Sequence, residues 1–318
     1  MLRYAFKRIL FLIPTIIIIS FIVFSLLELA PGSSVLIMAS ESMSEEEVRE
    51  LEQKYDLDKP MIYRYGKYML GLFQGDLGTS QTNSMPVWES YISKFPMTVW
   101  LSLTSLVVGV VVAVPLGIFA AKYSGTIWDS LTTAFSLLGL SLPGFWLGLL
   151  LLYAFAGNWL KIFPVGYDGT IKSFVLPSIC SGLLMAAAVM RQTRSAMLDV
   201  SREDYLRTAR AKGAPEIQVT VKHKLKNACI PIVTTIGMCL TRMLAGSAIV
   251  EAVFTWPGVG RLTVVAVSAR DVPLIVGCVI LTSIFYVVML LIVDMMYAVL
   301  DPRTRSQYAP IRKRRSTE

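Results

Sequence analysis

The sequence has no phosphate-binding loop of the G-x-x-x-x-G-K-S/T type, so binding and splitting a nucleotide by that route is excluded. It has one histidine, His223, set among lysines, which rules out a Ser/His/Asp set and any transition-metal site built on several imidazoles. Its four cysteines, Cys180, Cys229, Cys239 and Cys278, all fall in apolar runs, and none forms a C-x-x-C pair. They read as small buried apolar residues rather than disulfides or cluster ligands. The fifteen methionines are scattered, which suits packing better than soft-metal ligation. Charge is scarce as well: 16% of residues, against roughly 25% in an ordinary soluble domain. With few carboxylates in the apolar runs, an enzyme reading has little to stand on.

What is present is apolar residue, 54% of the chain, in runs long enough to cross a bilayer. The sequence predicts an all-α polytopic membrane protein. Met1 to Arg8 is basic and Ile9 to Leu27 is apolar, longer than the roughly 7–15 residues of a signal-peptide core, so it reads as a retained first helix. Further spans are expected at Met97–Ala121, kinked by Pro115 and Gly117, within the uncharged run Ser130–Leu160, and at Ser173–Met190, Ala228–Val250 and Leu274–Val293, the last continuing past Asp294 to Leu300. Pro143 and Gly144 break the Ser130–Leu160 run into a helix, a bend and a turn. Gly144 and Gly148 form a small-x-x-x-small pair suited to close helix packing. Six spans result.

The Pro31–Pro96 segment is polar and acidic on balance, with ten Asp/Glu against six Lys/Arg. Ser44 and Glu47 make a capping box that opens a helix from about Glu45 to Tyr55. Tyr63, Tyr65, Tyr68 and Leu70 suggest a second, amphipathic helix.

The excess of basic residues lies at the N-terminus, in Arg191–Lys226 with nine Lys/Arg against four Asp/Glu, and at Arg303, Arg305 and Arg312–Arg315. All three stretches fit one side of a bilayer, so both termini are expected to be cytoplasmic and the 31–96 segment external. No basic stripe interleaved with aromatics sits on a soluble unit, so nucleic acid is not an expected partner. Within the basic loop, Glu203 to Gly213 reads as a short helix stopped by Gly213 and Pro215. A helix tethered there between two spans is a lever that a soluble partner can push. The plain alternative is a solvated loop that only sets topology. Arg242 is a charge inside an apolar run. Either it pairs with Glu28, Glu251 or Asp294, or it lines a conduit and attracts a cargo carboxylate.

Several stretches, in order and at matching spacing, resemble the inner-membrane subunits of type I ABC importers. The nearer resemblance is to the first permease of the dipeptide, oligopeptide and nickel branch. They are Leu2-Arg3-Tyr4 with Lys7-Arg8, Ala30-Pro31-Gly32, Leu57-Asp58-Lys59-Pro60, Gly75-Asp76-Leu77-Gly78-Thr79-Ser80 and Pro143-Gly144-Phe145-Trp146-Leu147. Glu203 through Gly213, His223 through Ala228 with Pro231, Glu251 through Gly260, and Asp301-Pro302-Arg303 complete the series. In the wider importer motif E-A-A, three residues, G, nine residues, I-x-L-P, Arg207-Thr208-Ala209 stands for E-A-A, Gly213 is the glycine, His223 replaces the isoleucine, Leu225 matches and Lys226 replaces the proline. The departures match the peptide/nickel branch. Arg242 falls where that branch is usually small or uncharged.

The resemblance implies a multi-pass cell-membrane subunit that catalyses nothing and binds no cofactor itself. It would be half of a heterodimeric pore for peptides or nickel chelates, made with a second homologous permease. Two cytoplasmic ATPases, using ATP and Mg, would dock on its coupling helix, and an extracytoplasmic binding protein would deliver cargo to the external segment. The implied coupling residues are Glu203, Asp204, Tyr205, Arg207, Thr208, Ala209, Arg210, Ala211, Lys212 and Gly213. The implied division is a first helix at 1–30, an external segment at 31–96, a transmembrane domain at 97–300 holding a coupling loop at 195–227, and a basic cytoplasmic tail at 301–318. A self-sufficient secondary carrier or channel is the competing reading. It would usually show paired half-repeats and mid-membrane carboxylates, neither of which is evident.

Overall fold

A computed structural model describes residues 2–29, 44–54, 56–157 and 160–300. The basic tail and Ala30-Pro31-Gly32 lie outside them. The fold is helical, and among the described residues the only β pairing is an isolated bridge between Thr79 and Pro86.

α1 is Leu2–Leu29, α2 Glu45–Lys54, α3 Met61–Phe73 and α4 Val87–Lys122. α5 is Ile127–Ser141 and α6 Gly144–Ala156, bent by 102° where Pro143 and Gly144 break the run. α7 is Lys172–Val200, α8 Asp204–Ala211 and α9 Glu216–Leu244. α10 is Ala248–Val253, α11 Val259–Ser268 and α12 Val272–Leu300. Five helices (α1, α4, α7, α9, α12) are long and apolar enough to cross a membrane, and the bent α5–α6 pair makes six.

The centre of the bundle is the contact of α4 with α7. Glycine lets these two backbones approach closely. A Cβ on Gly109 would lie 2.9 Å from the Gly182 carbonyl oxygen, and one on Gly182 would lie 2.8 Å from the Ser105 carbonyl oxygen. Ala113, Met185, Ala186, Val189 and Met190 fill the buried layer beside this crossing. Small residues at a membrane helix contact allow the close packing that replaces a hydrophobic driving force.

Three spans run further than the sequence suggests. α4 begins ten residues before Met97, because Val87 and Tyr91 are fully buried against Leu274, Ile275 and Cys278, and this packing outweighs Glu89, Lys94 and Pro96. α7 continues past Met190 through Arg191 and Arg194. Arg194 is held by a two-pronged bond to Asp129 on α5, Nε–Oδ1 2.6 Å and Nη2–Oδ2 2.7 Å, and the same carboxylate accepts the Gly125 amide. α9 starts at Glu216 instead of Ala228, with Val219–Leu225 wound as a wide π-type turn. It stops at Leu244, before the expected Val250, so Arg242 sits in its last turn and not at mid-span.

Ser44 and Glu47 form the expected capping box: the Ser44 amide donates to Glu47 Oε2 at 2.8 Å, and the Glu47 amide donates to Ser44 Oγ at 3.3 Å. α3 lies on the far end of α1. Tyr65 Oη donates to the Ile17 carbonyl at 3.0 Å, its ring meets Phe21 and Phe24 edge-on, and Arg64 pairs with Glu28. At the other end of the bundle Arg8 on α1 pairs with Asp294 on α12.

Candidate functional site

The basic loop folds into a short helix wired to both neighbouring spans. α7 passes into it through a tight turn, the Ser201 amide bonding Met197 O at 3.1 Å and the Glu203 amide bonding Val200 O at 3.1 Å. Glu203, in an extended conformation, holds the N-cap position of α8. Glu203 and Asp204 sit at the helix's positive end, and Arg210 and Lys212 at its negative end, the arrangement the helix dipole favours. Gly213, at φ +78°, turns the chain out of the helix, with its amide on Arg210 O at 2.9 Å. Pro215 then opens α9.

Two side-chain links tie α8 to α9. Asn227 Nδ2 donates to Tyr205 Oη at 2.8 Å and also to the His223 carbonyl. Arg210 grips Glu216 with two bonds, Nε–Oε2 3.2 Å and Nη2–Oε1 2.9 Å, and the carboxylate holds the guanidinium more firmly in its charged form. Leu206 is the fully buried anchor of the helix. Asp204, Tyr205, Arg207, Thr208, Arg210, Ala211, Lys212 and Gly213 are exposed, and Ala209 is half-buried. The sequence-predicted coupling residues are therefore brought together on one small surface.

Sequence reasoning missed two neighbours. Ile217 is 80% exposed and Val221 56% exposed, four residues apart at the start of α9. Large aliphatic residues left uncovered beside a charged helix form an apolar contact point.

At the opposite end of the bundle, the Glu251–Gly260 motif is a locked cap. Glu251, 1% exposed, accepts Thr98 Oγ1 from α4 at 2.9 Å and the Arg261 amide from the first turn of α11 at 3.0 Å. Thr98 Oγ1 in turn accepts the Val259 amide at 2.9 Å. A carboxylate at a helix N-terminus satisfies amides that have no partner within the helix. Trp256, fully buried, donates its Nε1 to the Met97 carbonyl at 3.0 Å and packs edge-on against Phe174 and Tyr167. Asp271 plays a similar part beside it, accepting from Ser80, from Thr82 and from the Leu274 amide of α12. This fastens the 76–86 turn to the start of the last span.

Arg242 does not pair with Glu28, Glu251 or Asp294. Each of those carboxylates is committed elsewhere, to Arg64, to Thr98 with α11, and to Arg8. Arg242 is exposed, and among the described residues no ion pair includes it. A charged side chain facing hydrocarbon is costly, and such groups turn towards protein or water.

Comparison with known proteins agrees with this architecture. The family described as "Binding-protein-dependent transport system inner membrane component" matches residues 113–306. A companion family, its N-terminal membrane component, matches residues 1–104. The glutathione transport system permease protein GsiC of Salmonella paratyphi A is 39% identical over 307 residues, 96% of this chain and 99% of the relative. The dipeptide transport system permease protein DppB of Escherichia coli K12 is 35% identical, with the same coverage. A chain of the MetNI methionine ABC transporter, solved in inward-facing conformations, is similar in fold: TM-score 0.50 at 17% identity, covering 66% of this chain and 95% of that one. With its membrane helices, its tethered short helix and these matches along nearly its whole length, the chain belongs to the inner-membrane permeases of binding-protein-dependent ABC importers.

Proposed function

We propose that this chain forms half of a gated passage for peptides, paired with a second homologous permease, and that two ATPases using ATP and Mg drive it through α8. The observation that carries the reading is the wiring of α8. A tight turn joins it to α7, and the Tyr205–Asn227 and Arg210–Glu216 links join it to α9. A push on the exposed residues between Glu203 and Gly213, or on Ile217 and Val221 of α9, therefore moves two spans together instead of being lost in a loose loop. The ends of α1 and α12 that meet at Arg8 and Asp294 lie on the ATPase side. The 31–96 segment faces outward, where a binding protein docks, and Arg242 faces the passage. Peptides are favoured as cargo because GsiC and DppB are named for glutathione and dipeptides, and neither name speaks of nickel.

The test uses the assembled transporter in vesicles. Lys212→Glu reverses charge at the end of α8, and Gly213→Val forces a β-branched residue into φ +78°. Both variants should stay in the membrane and keep hydrolysing ATP while uptake falls at least tenfold. Normal uptake by both refutes the lever. Vesicles holding this chain alone should move no peptide, and uptake by them would establish the self-sufficient carrier instead.

A further inference from the structure

α9 is the least apolar of the membrane-length helices; 22% of its apolar stretch is buried by its own chain, against 67% for α7 and 11% for α1, so its polarity rather than its burial sets it apart. Something other than this polypeptide covers it. At helical spacing, Pro231, Thr235, Met238 and Arg242 fall on one stripe. The first two are half-buried, Met238 is 46% exposed and Arg242 is exposed. The stripe offers a hydroxyl, a thioether and a guanidinium, and no carboxylate. The one acidic residue within α9 is Glu216, at the far end and held by Arg210. The next acid along the chain, Glu251, is sealed in the cap against Thr98 and the first turn of α11. Among the described residues no carboxylate pairs with Arg242, and hydrocarbon is an unfavourable neighbour for its charge.

We infer that Arg242 is a specificity-determining residue: it gives the passage a positive potential near the α10–α11 cap and favours cargo with a net negative charge, such as peptides carrying an extra carboxylate. This rests on the reading above that the α9 stripe faces the passage. An unscreened charge in a narrow, partly dry channel acts over several ångströms, enough to change the ratio of anionic to cationic occupancy about tenfold.

The experiment reads the potential directly. In the assembled transporter, with Cys229 and Cys239 changed to serine, Met238→Cys places a thiol one turn from Arg242. Its rates of modification by an anionic sulfonate methanethiosulfonate and by a cationic trimethylammonium one are compared. Expected are modification by both reagents and an anionic-to-cationic rate ratio that drops about tenfold when Arg242→Gln is added. Arg242→Lys should bring it back to within about twofold. In parallel, vesicles are given an equimolar mixture of dipeptides and their contents are read by mass spectrometry. The acidic-to-basic ratio should fall in Arg242→Gln and recover in Arg242→Lys. The same binding protein serves every variant, so its own preference cancels. If neither reagent reaches the Met238→Cys thiol, the stripe does not face water, and the passage reading falls together with the inference. If the thiol is modified but both ratios ignore Arg242→Gln, the inference is overturned while the passage reading stands.

Discussion

α7 and α9 are both 29 residues long, flank the same short helix, and have opposite relations to the rest of the chain. α7 is wrapped by its own polypeptide. Its Gly182, Ala186, Ala187 and Val189 lie against α4 and α5, and its half-buried Arg194 is matched by Asp129. α9 is less apolar, less deeply buried, wound as a π-type turn near its start, and ends with an arginine that no described carboxylate pairs with. The difference separates two jobs. A helix whose partners are within the chain can be packed to glycine contact, and it fixes the fold. A helix whose partners are another subunit or a wet passage must keep polar groups on its free face, and it carries the selectivity. α8 joins one to the other.

The largest expected effect lies on α7. Gly182→Leu places a side chain where even a Cβ would sit 2.8 Å from the Ser105 carbonyl oxygen and 2.9 Å from Val108 Cγ1. Backbone cannot give way as a flexible side chain can, so the cost is about 3 kcal/mol. The measurement is thermal unfolding of the purified subunit in mild detergent, followed by gel filtration. Gly182→Leu should unfold far below the parent or fail to run as a single species. An unchanged midpoint would mean that α4 and α7 do not meet at this depth.

Next comes the cap that fastens α10 and α11 to α4. Glu251→Ala removes the acceptor for both Thr98 and the Arg261 amide, leaving buried donors without partners. Lost bonds to a charged group are worth about 1.5–3 kcal/mol each in the buried state, so a destabilisation of about 3 kcal/mol is expected in the same assay. Thr98→Val should reproduce part of it, because Thr98 also accepts the Val259 amide. The pair should be less than additive, as neighbours in one network are.

On the free face of α9 the expectation reverses. Met238→Ser touches no buried layer, and the change in stability of the isolated subunit should stay within about 0.5 kcal/mol. A large loss there would show that α9 is covered by its own chain after all, and the contrast with α7 would disappear.

Much of this was legible in the residues. Ser44 and Glu47 announce their helix, Pro143–Gly144 announces the bend, and Gly213 announces the end of α8, because each acts through local backbone chemistry. The links that hold the site in place were not legible. Thr98 reaches Glu251 across 153 residues, and Arg194 reaches Asp129 across 65. Periodicity carries no information about such partners. The same blindness made Glu28, Glu251 and Asp294 look like partners for Arg242, when Glu28 and Asp294 each have another arginine and Glu251 has a hydroxyl and an amide. The π-type turn at Val219–Leu225 and the early start of α4 were hidden because packing, not propensity, decides them.

The smallest effect belongs to a third kind of region, the 56–59 turn of the lobe between α1 and α4, where charge rather than packing does the holding. Asp56 sits between Lys59, at 2.6 Å, and Lys67. These two ammonium groups, Lys59 foremost, lower its carboxyl from the ordinary 3.8 to about 2. A carboxyl lowered on folding stabilises the folded form above its unfolded value and loses that contribution as pH falls through the folded one. The tie between the 56–59 turn and α3 should therefore be intact down to about pH 4 and weaken between pH 4 and pH 2. Cleavage of the 56–73 region by pepsin, scaled to an unfolded control at each pH, measures this. Cleavage should rise across that window in the parent, whereas Asp56→Asn should already show the raised level at pH 4 and change little below it. Because the cluster is exposed, salt should blunt the step, and the spans should register nothing. A step of equal size in α7 would mean that the lobe and the core unfold as one unit, erasing the distinction between regions held by packing and regions held by charge.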